Sequence, residues 1–548
     1  MHTKARTLLL LVSILSIVSA GCTGRSQDAR SPQAGSTSNA STAAEVKQQP
    51  GAYPIQTSKT LTYWAELNQN AASVKSTFEQ VPFFQEWQKR TGVKLKFIQA
   101  QANQDKTALN VLLASGDLPD MMEYAWNSFP GGPEKAINDG YILKLNDVID
   151  KYAPNLKQFL KEHPEIDKQI KTDEGHYYVF PFIRNDPMLQ TFQGPIIRKD
   201  WLDELGLPIP ETIDDWYVVL KAFKEKKGIE APLTFLSVPN VLFGMDNGAF
   251  IGAYGVKKGF YLDEGKVKFG PIEGGYKEFL RTFRRWYEEG LIDRNMATVD
   301  IKTMDSNMML GRSGASIWNA GSGIGKWQPA LQAKDPKAVV TAAPYPVLKR
   351  GDKPKFGQKS EEYVGSGSVA IAGNSKNVEE AARMLDYGYS EAGHMFFNFG
   401  IEGTSYNMEG DYPKYTELIM SNKEQLVPAQ ALAMYNRASY FGPFIQDRRY
   451  IEQAYTLSQQ KEAIPVWAQN DAERHTLPLI HKTEKESSES AAIMMDVMNL
   501  VDEMSIKIIL GVEPVDAYDN YVEKIKALNV KRAIDIEQQA LDRYNFKS

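Results

Sequence analysis

The six histidines of the 548-residue chain are His2, His163, His176, His394, His475 and His481, and they stand in no HxH, HExxH or other spacing that would put two ring nitrogens on one zinc ion. No GxSxG turn exposes a serine nucleophile, no GxxxxGK[ST] loop wraps a phosphate, and no GxGxxG follows a strand. The glycine-rich "GSGIGKW" (Gly321–Trp327) fits neither nucleotide spacing and reads as a loop. A glycosidase needs only two carboxylates about 5 to 10 Å apart. With 68 acidic residues that chemistry stays open, although nothing in the sequence marks out such a pair. No residue is therefore given a catalytic, metal-ligating or cofactor-binding role.

The aromatic inventory is richer, with nine Trp and 26 Tyr, and several of these rings fall where predicted strands end: Trp64, Tyr124, Trp126 and Trp318. Aromatic rings pack on the apolar C–H faces of sugars while neighbouring Asn, Asp, Glu or Arg satisfy the hydroxyls, so such rings suit a carbohydrate pocket. Each ring could equally belong to a core, since large aromatics are commonly buried.

The elements that would carry these residues alternate. "KTLTYWAE" (Lys59–Glu66) reads as a strand. A segment with Val81, Phe84 and Trp87 on one helical face follows and stops at Thr91-Gly92. "VKLKFIQA" (Val93–Ala100) alternates polar and apolar residues like a strand. Ala108, Val111, Leu112 and Ser115 then share a helical face that ends at Gly116, and "DMMEYAW" (Asp120–Trp126) is a third strand. Strand, helix, strand, helix, strand implies a parallel sheet with right-handed crossovers, whose ligands bind beyond the carboxyl ends of the strands. A second α/β block follows Gly194–Trp216. It has a helix through Tyr276, Phe279, Leu280, Phe283 and Tyr287 that stops at Gly290, then a buried strand "SGASIW" (Ser313–Trp318). "YVGSGSVAIA" (Tyr363–Ala372) is a further strand, and a helix carries Val378, Ala381, Ala382 and Leu385. The last hundred or so residues read as helical.

At the other end of the chain stands the only cysteine, Cys22. Lys4 and Arg6, the 11-residue apolar run Leu8–Val18 and the small residues Ser19-Ala20-Gly21 have the layout of an export signal, about half the length needed to cross a bilayer. The small-small-Cys ending resembles a bacterial lipobox, with Ser19 where Leu is usual; its cysteine would be acylated and become the new N-terminus. Thr23–Pro54 is rich in Ser, Thr, Ala, Gln and Gly, and reads as a disordered tether that would reach roughly 30 Å. Removing residues 1–21 takes away Lys4 and Arg6 and no acid, so the net charge moves from −5 to −7. That excess argues against nucleic acid or anionic lipid head groups as partners.

"LLASGDLPDMMEY" (Leu112–Tyr124) resembles the helix-turn-strand signature of extracellular solute-binding proteins of the maltose-binding-protein-like class, the receptors of ABC importers. "IIRKDWLDELGLPIPETIDDW" (Ile196–Trp216), "WYEEGLIDRN" (Trp286–Asn295), "SVAIAGNSKNVEEAARMLDY" (Ser368–Tyr387), "FNFGIEGTSYN" (Phe397–Asn407) and the tail Ile509–Tyr544 follow in the order of the family's large lipoprotein branch. The resemblance implies an α/β, two-lobed periplasmic-binding-protein-like fold with mostly parallel sheets flanked by helices, interlobe hinge crossings and a helical C-terminal region. It divides the chain into a signal peptide (1–21), a tether (22–54), lobe 1 (55–190 and 345–408) and lobe 2 (191–344 and 409–548).

The resemblance also implies an oligosaccharide ligand held in the interlobe cleft, ABC permease subunits as partners, a membrane anchor through acylated Cys22 on the extracellular face, a monomer, and neither catalysis nor a cofactor. Tyr124, Trp126 and Asn127 match the position after the third strand where family members present an aromatic and a polar group, and Trp318 matches the aromatic offered by the second lobe. Trp64, Glu66 and Arg184, with Asn185 beside it, are further cleft candidates. Glu402 and Tyr406 either touch ligand or brace the hinge. Some relatives carry an EF-hand-like calcium loop after the "DDW" helix, but Lys221–Phe235 is basic where calcium ligands would be acidic oxygens, so no calcium is expected there. A receptor for peptides or other small solutes, a surface glycosidase or lyase, and a sensor without a transport role remain as alternatives.

Overall fold

The computed structural model describes residues 48–100, 105–424, 426–439 and 441–546. The signal-like segment, Cys22 and most of the tether lie outside the described residues.

Alternation in "TLTYWAE" puts Leu61 and Tyr63 into one layer and Trp64 into the other, giving β1 (Thr60–Glu66). The helix Pro82–Thr91 begins with proline in its first turn, where a missing N–H is harmless. It ends on Gly92, whose φ of 77° closes the helix in a conformation that glycine alone adopts freely. The chain then enters β2 (Lys94–Ala100), the helix Asp105–Ser115 and β3 (Met121–Tyr124). At the start of β3 the Asp120 carboxylate accepts from the Thr62 backbone N–H (2.9 Å), Ser375 Oγ (2.7 Å) and Asn377 Nδ2 (3.1 Å), which holds its pKa down and ties three segments together.

After several short helices the chain returns as β4 (Phe180–Ile183) and leaves for a second sheet through residues 184–192. In that sheet β5 (Gln193–Arg198) is central, and a hairpin of β6 (Phe260–Asp263) and β7 (Lys266–Phe269) lies apart from it. Its partners are β8 (Ala315–Asn319) and β9 (Val340–Ala342), both antiparallel to it. β10 (Tyr363–Ile371) re-enters the first sheet, giving the order β2-β1-β3-β10-β4. A last hairpin, β11 (Tyr406–Glu409) with β12 (Tyr412–Tyr415), stands outside both sheets.

The expectation of mostly parallel sheets is corrected. Only β1–β2 and β1–β3 pair in parallel, while β10 runs antiparallel to both β3 and β4. The reason lies in the crossings: β4 leaves the first sheet at one edge, and β10 comes back from the second lobe at that same edge, so it must run the opposite way.

Two large cores result. One gathers Leu61, Phe84, Trp87, Phe182 and Val369; the other gathers Ile196, Trp216, Phe250, Phe283, Ile317 and Trp327. Tyr345 and Phe356 belong to the second core, and Phe444 to the first, so the chain changes lobes later than positions 345 and 409. A third, small cluster joins Phe399, Tyr406, Tyr415 and Ile419. The glycine-rich Ala320–Ile324 is a π-helical turn opening the helix Gly325–Gln332, where the sequence suggested a loop. The 26-residue helix Glu484–Ile509 and the helix Val530–Phe546 close the chain. They reach back to lobe 1, with Arg543 Nε 2.7 Å from Asp173 and Lys135 Nζ 3.0 Å from Glu484.

Residues 48–54, read as the end of the tether, are packed on lobe 1. Tyr53 Oη donates to the Arg383 carbonyl (2.8 Å), its ring stands edge-on to Tyr387 at 4.9 Å, and Arg383 Nη2 donates to Gln48 Oε1 (3.0 Å).

Candidate functional site

Because β10 opposes both β3 and β4, β4 runs in the direction of β1 and β3. The carboxyl ends of these three strands therefore meet at one edge of the lobe 1 sheet and present Glu66, Tyr124 and Arg184 there. A pocket of about 410 Å³ opens at this edge, lined by Glu66, Asn68, Gln69, Asn70, Glu123, Tyr124, Ala125, Ser366, Gly367 and Phe441. In lobe 2, Gln193 at the start of β5 lies opposite Asn319 and Gly194 opposite Trp318, at the end of β8. Trp318 and Asn319 thus stand where the chain arrives from lobe 1.

The segments between the lobes are fastened side by side. The Phe192 N–H donates to Gln358 Oε1 (2.7 Å), Gln358 Nε2 donates to the Gln190 carbonyl (3.0 Å), and the Arg184 N–H donates to the Glu362 carbonyl (2.7 Å). The third crossing joins them through the Gln446 N–H, which donates to the Ile183 carbonyl (2.8 Å).

Of the predicted residues two line this pocket, and Trp64, Asn127, Arg184 and Trp318 stand outside its lining. Glu66 and Tyr124 line the pocket, and Trp64, 3% exposed, backs Tyr124 with ring centres 6.5 Å apart. Trp318 is partly buried against the second core, and a Cβ at Gly323 would stand 3.1 Å from its ring, so glycine there leaves the indole its place. Asn127, in the turn Trp126–Ser128, lies over Gly365 of β10, and its buried Oδ1 has no hydrogen-bond partner.

Arg184 is largely enclosed. Its Nε donates to Gln446 Oε1 (3.1 Å), and its guanidinium lies 5.3 Å from the Phe182 ring centre and 5.8 Å from that of Phe192. Burial draws its pKa down, against the opposing influence of Tyr450 and Tyr455. Asn185 is exposed beside it.

Two predicted residues are corrected. Trp126 is fully buried and its indole N–H donates to the Met122 carbonyl (3.1 Å), because the strand stops at Tyr124 and the chain turns inward. Tyr406, 5% exposed, packs on Phe399 at 5.9 Å in the small third cluster. Burial, followed by the charge of Glu402, raises its pKa, with Arg90 opposing. Glu402 is exposed in the turn before that hairpin, bridged to Tyr406, and lines no part of the pocket.

Sequence reasoning missed Asn68, Ser366 and Phe441 of the pocket wall, and Glu123. The carboxylate of Glu123 takes Tyr63 Oη (2.6 Å) and Arg437 Nη2 (2.6 Å), and Arg437 in turn holds the Phe441 carbonyl through Nε (2.6 Å). The signal for Phe441 was available in "YFGPF" (Tyr440–Phe444), an aromatic cluster broken by Gly and Pro. Tyr124 and Phe441, with amide and carboxylate groups beside them, give this pocket the kinds of groups that hold a polyhydroxylated solute.

The chain is similar to known proteins. The fructooligosaccharide ABC transporter substrate-binding protein FusA of Streptococcus pneumoniae serotype 4 (strain ATCC BAA-334 / TIGR4) is 31% identical over 274 residues, 47% of this chain and 49% of that protein, so this match spans about half of either. The polygalacturonan/rhamnogalacturonan-binding protein YtcQ of Bacillus subtilis (strain 168) is 25% identical over 98% of this chain and 99% of its own length. Among solved structures, an HMO-binding, ABC-transporter-associated solute-binding protein from Bifidobacterium longum infantis ATCC 15697 superposes with a TM-score of 0.72. At 20% identity, covering 88% of this chain and 99% of that one, it shows a shared fold. The model of the family described as "Bacterial extracellular solute-binding protein" matches residues 71–395, more than half of the sequence, and the chain belongs to that family.

Proposed function

We propose that the protein captures an oligosaccharide between its lobes and presents it to the membrane subunits of an ABC importer. What supports this reading is that Glu66, Tyr124 and Arg184 stand at or just after strand ends of one lobe and Trp318 at a strand end of the other, beside the crossings that join them. FusA takes its name from fructooligosaccharides and YtcQ from polygalacturonan and rhamnogalacturonan, which supports the ligand class without choosing its charge. In this reading Trp318 and Tyr124 stack on sugar rings, Glu66 and Asn127 accept or donate to hydroxyls, and Trp64 supports Tyr124. The two lobes bend about residues 184–192, 358–362 and 445–447, and the receptor works as a monomer that catalyses nothing. Cys22, acylated after export, holds it at the outer face of the membrane, since two acyl chains give the stable attachment that one does not.

A ligand that binds only the folded state raises the melting temperature. A panel of neutral and acidic tetrasaccharides is therefore expected to contain at least one that does so, and a panel without any shift would sink the reading. Trp318→Ala is expected to weaken binding of that sugar about tenfold or more while leaving the unliganded melting temperature near that of the wild type; loss of folding would instead make Trp318 a core residue.

A further inference from the structure

We propose that Arg184 is the residue that selects the ligand, and that it selects a sugar carrying a carboxylate. The inference rests on the oligosaccharide-receptor reading and asks which charge the sugar bears. Arg184 follows β4 at the ligand edge of the sheet, largely enclosed between the rings of Phe182 and Phe192. Among the described residues its side chain has one hydrogen bond, from Nε to the neutral amide of Gln446, and neither Nη group of the fork has a partner.

Three acids close to Arg184 in the chain, or beside its hydrogen-bonded neighbours on the other crossings, are engaged elsewhere. Asp186 caps the Met188 N–H (2.9 Å) and faces Arg448 at 3.9 Å. Glu362 accepts from Gln169 Nε2 (2.7 Å). Asp447 is held by His394 Nε2 (2.9 Å) and Arg449 Nη2 (2.6 Å). An enclosed guanidinium without a counter-charge is costly, and such groups concentrate where a ligand supplies the missing charge. The planar fork matches a carboxylate through two parallel N–H bonds, a recognition that an ammonium does not reproduce.

At the β1 end of the same edge stands Glu66, and no basic residue lines the pocket beside it. A uronate is therefore received with its carboxylate at the Arg184 end, and the Glu66 end takes hydroxyls. The carboxylate of Glu123 is already engaged by Arg437 and does not alter this polarity.

Isothermal titration of the mature chain with tetragalacturonate and an alginate tetramer, against nystose, stachyose and maltotetraose, tests the assignment. The expected result is binding of a uronate tetramer that weakens as NaCl is raised, with the neutral sugars bound more weakly or not at all. Arg184→Gln is expected to lower uronate affinity by about 10- to 100-fold, the worth of a charge-assisted hydrogen-bonded contact, and Arg184→Lys to lose less. Neutral tetrasaccharides bound in preference to uronates would overturn the inference and leave the receptor reading standing. Binding of neither set would remove both. A folded Arg184→Gln protein that binds the uronate like the wild type would remove Arg184 from the role, and the wild-type comparison decides the charge even if the variant does not fold.

Discussion

Tyr124 and Trp126 are two residues apart, and as strand residues they would share a face; the structure separates them. The strand ends at Tyr124, and the turn Trp126–Ser128 swings the indole under the sheet, where it meets Tyr124 edge-on at 5.7 Å and Phe129 at 5.8 Å. Trp126→Ala is accordingly expected to cost about 3–5 kcal/mol of folding stability, the range for emptying a large aromatic site, and a urea titration reads it directly. A variant of unchanged stability would return Trp126 to the ligand candidates. The residue types at this edge were legible because apolar alternation located the strand. Where the strand stops depends on what packs beneath it, and no local pattern carries that. Arg184 shows the same limit: its position after "YYVFPF" could be read from the chain, whereas the commitment of Asp186, Glu362 and Asp447 to other partners exists only in the folded molecule.

Among the elements, the first three strands and their helices could be read from periodicity and glycine stops. The antiparallel second sheet could not, because Gln193–Arg198 and Ala315–Asn319 are far apart in sequence and their relative direction follows from the crossings. The crossing near residues 358–362 also carries a titrating group. Burial, followed by the neighbouring charge of Glu362, pushes the Glu361 carboxyl from the ordinary 4.5 up to about 7, with Lys359 opposing and Glu473 adding to the rise. The pocket there, about 410 Å³, also holds Glu165, Gln169, Thr476 and Asn545. A raised carboxyl pKa means that the folded state holds its proton more tightly than the unfolded chain does. Its contribution is complete below pH 4.5 and is lost as pH rises through 7. Glu361→Gln is thus expected to match the wild type near pH 4.5 and to exceed it by about 3 kcal/mol near pH 8, as read from denaturation midpoints at the two pH values. A pH-independent difference would show that the side chain acts through packing instead.

At the scale of the molecule, two α/β bodies joined by three crossings are built to bend. Small-angle scattering with and without the sugar identified by titration is expected to show a smaller radius of gyration in the bound state; an unchanged radius would indicate that the cleft receives ligand without closing. The C-terminal helices make contacts from both bodies, since Arg543 engages Glu486 and Asp173 together, so their ion pairs must slide or break if the lobes turn.

The docking of residues 48–54 on lobe 1 has a mechanical consequence. Tyr53 and Gln48 are fastened to Arg383, so any pull arriving along the chain from its N-terminal side is delivered to lobe 1. In the anchored receptor proposed above, lobe 1 would be the stator and lobe 2 the rotor, so that closure would move Trp318 rather than Arg184. A fluorescent label on lobe 2 would report larger excursions relative to the point of tethering than one on lobe 1.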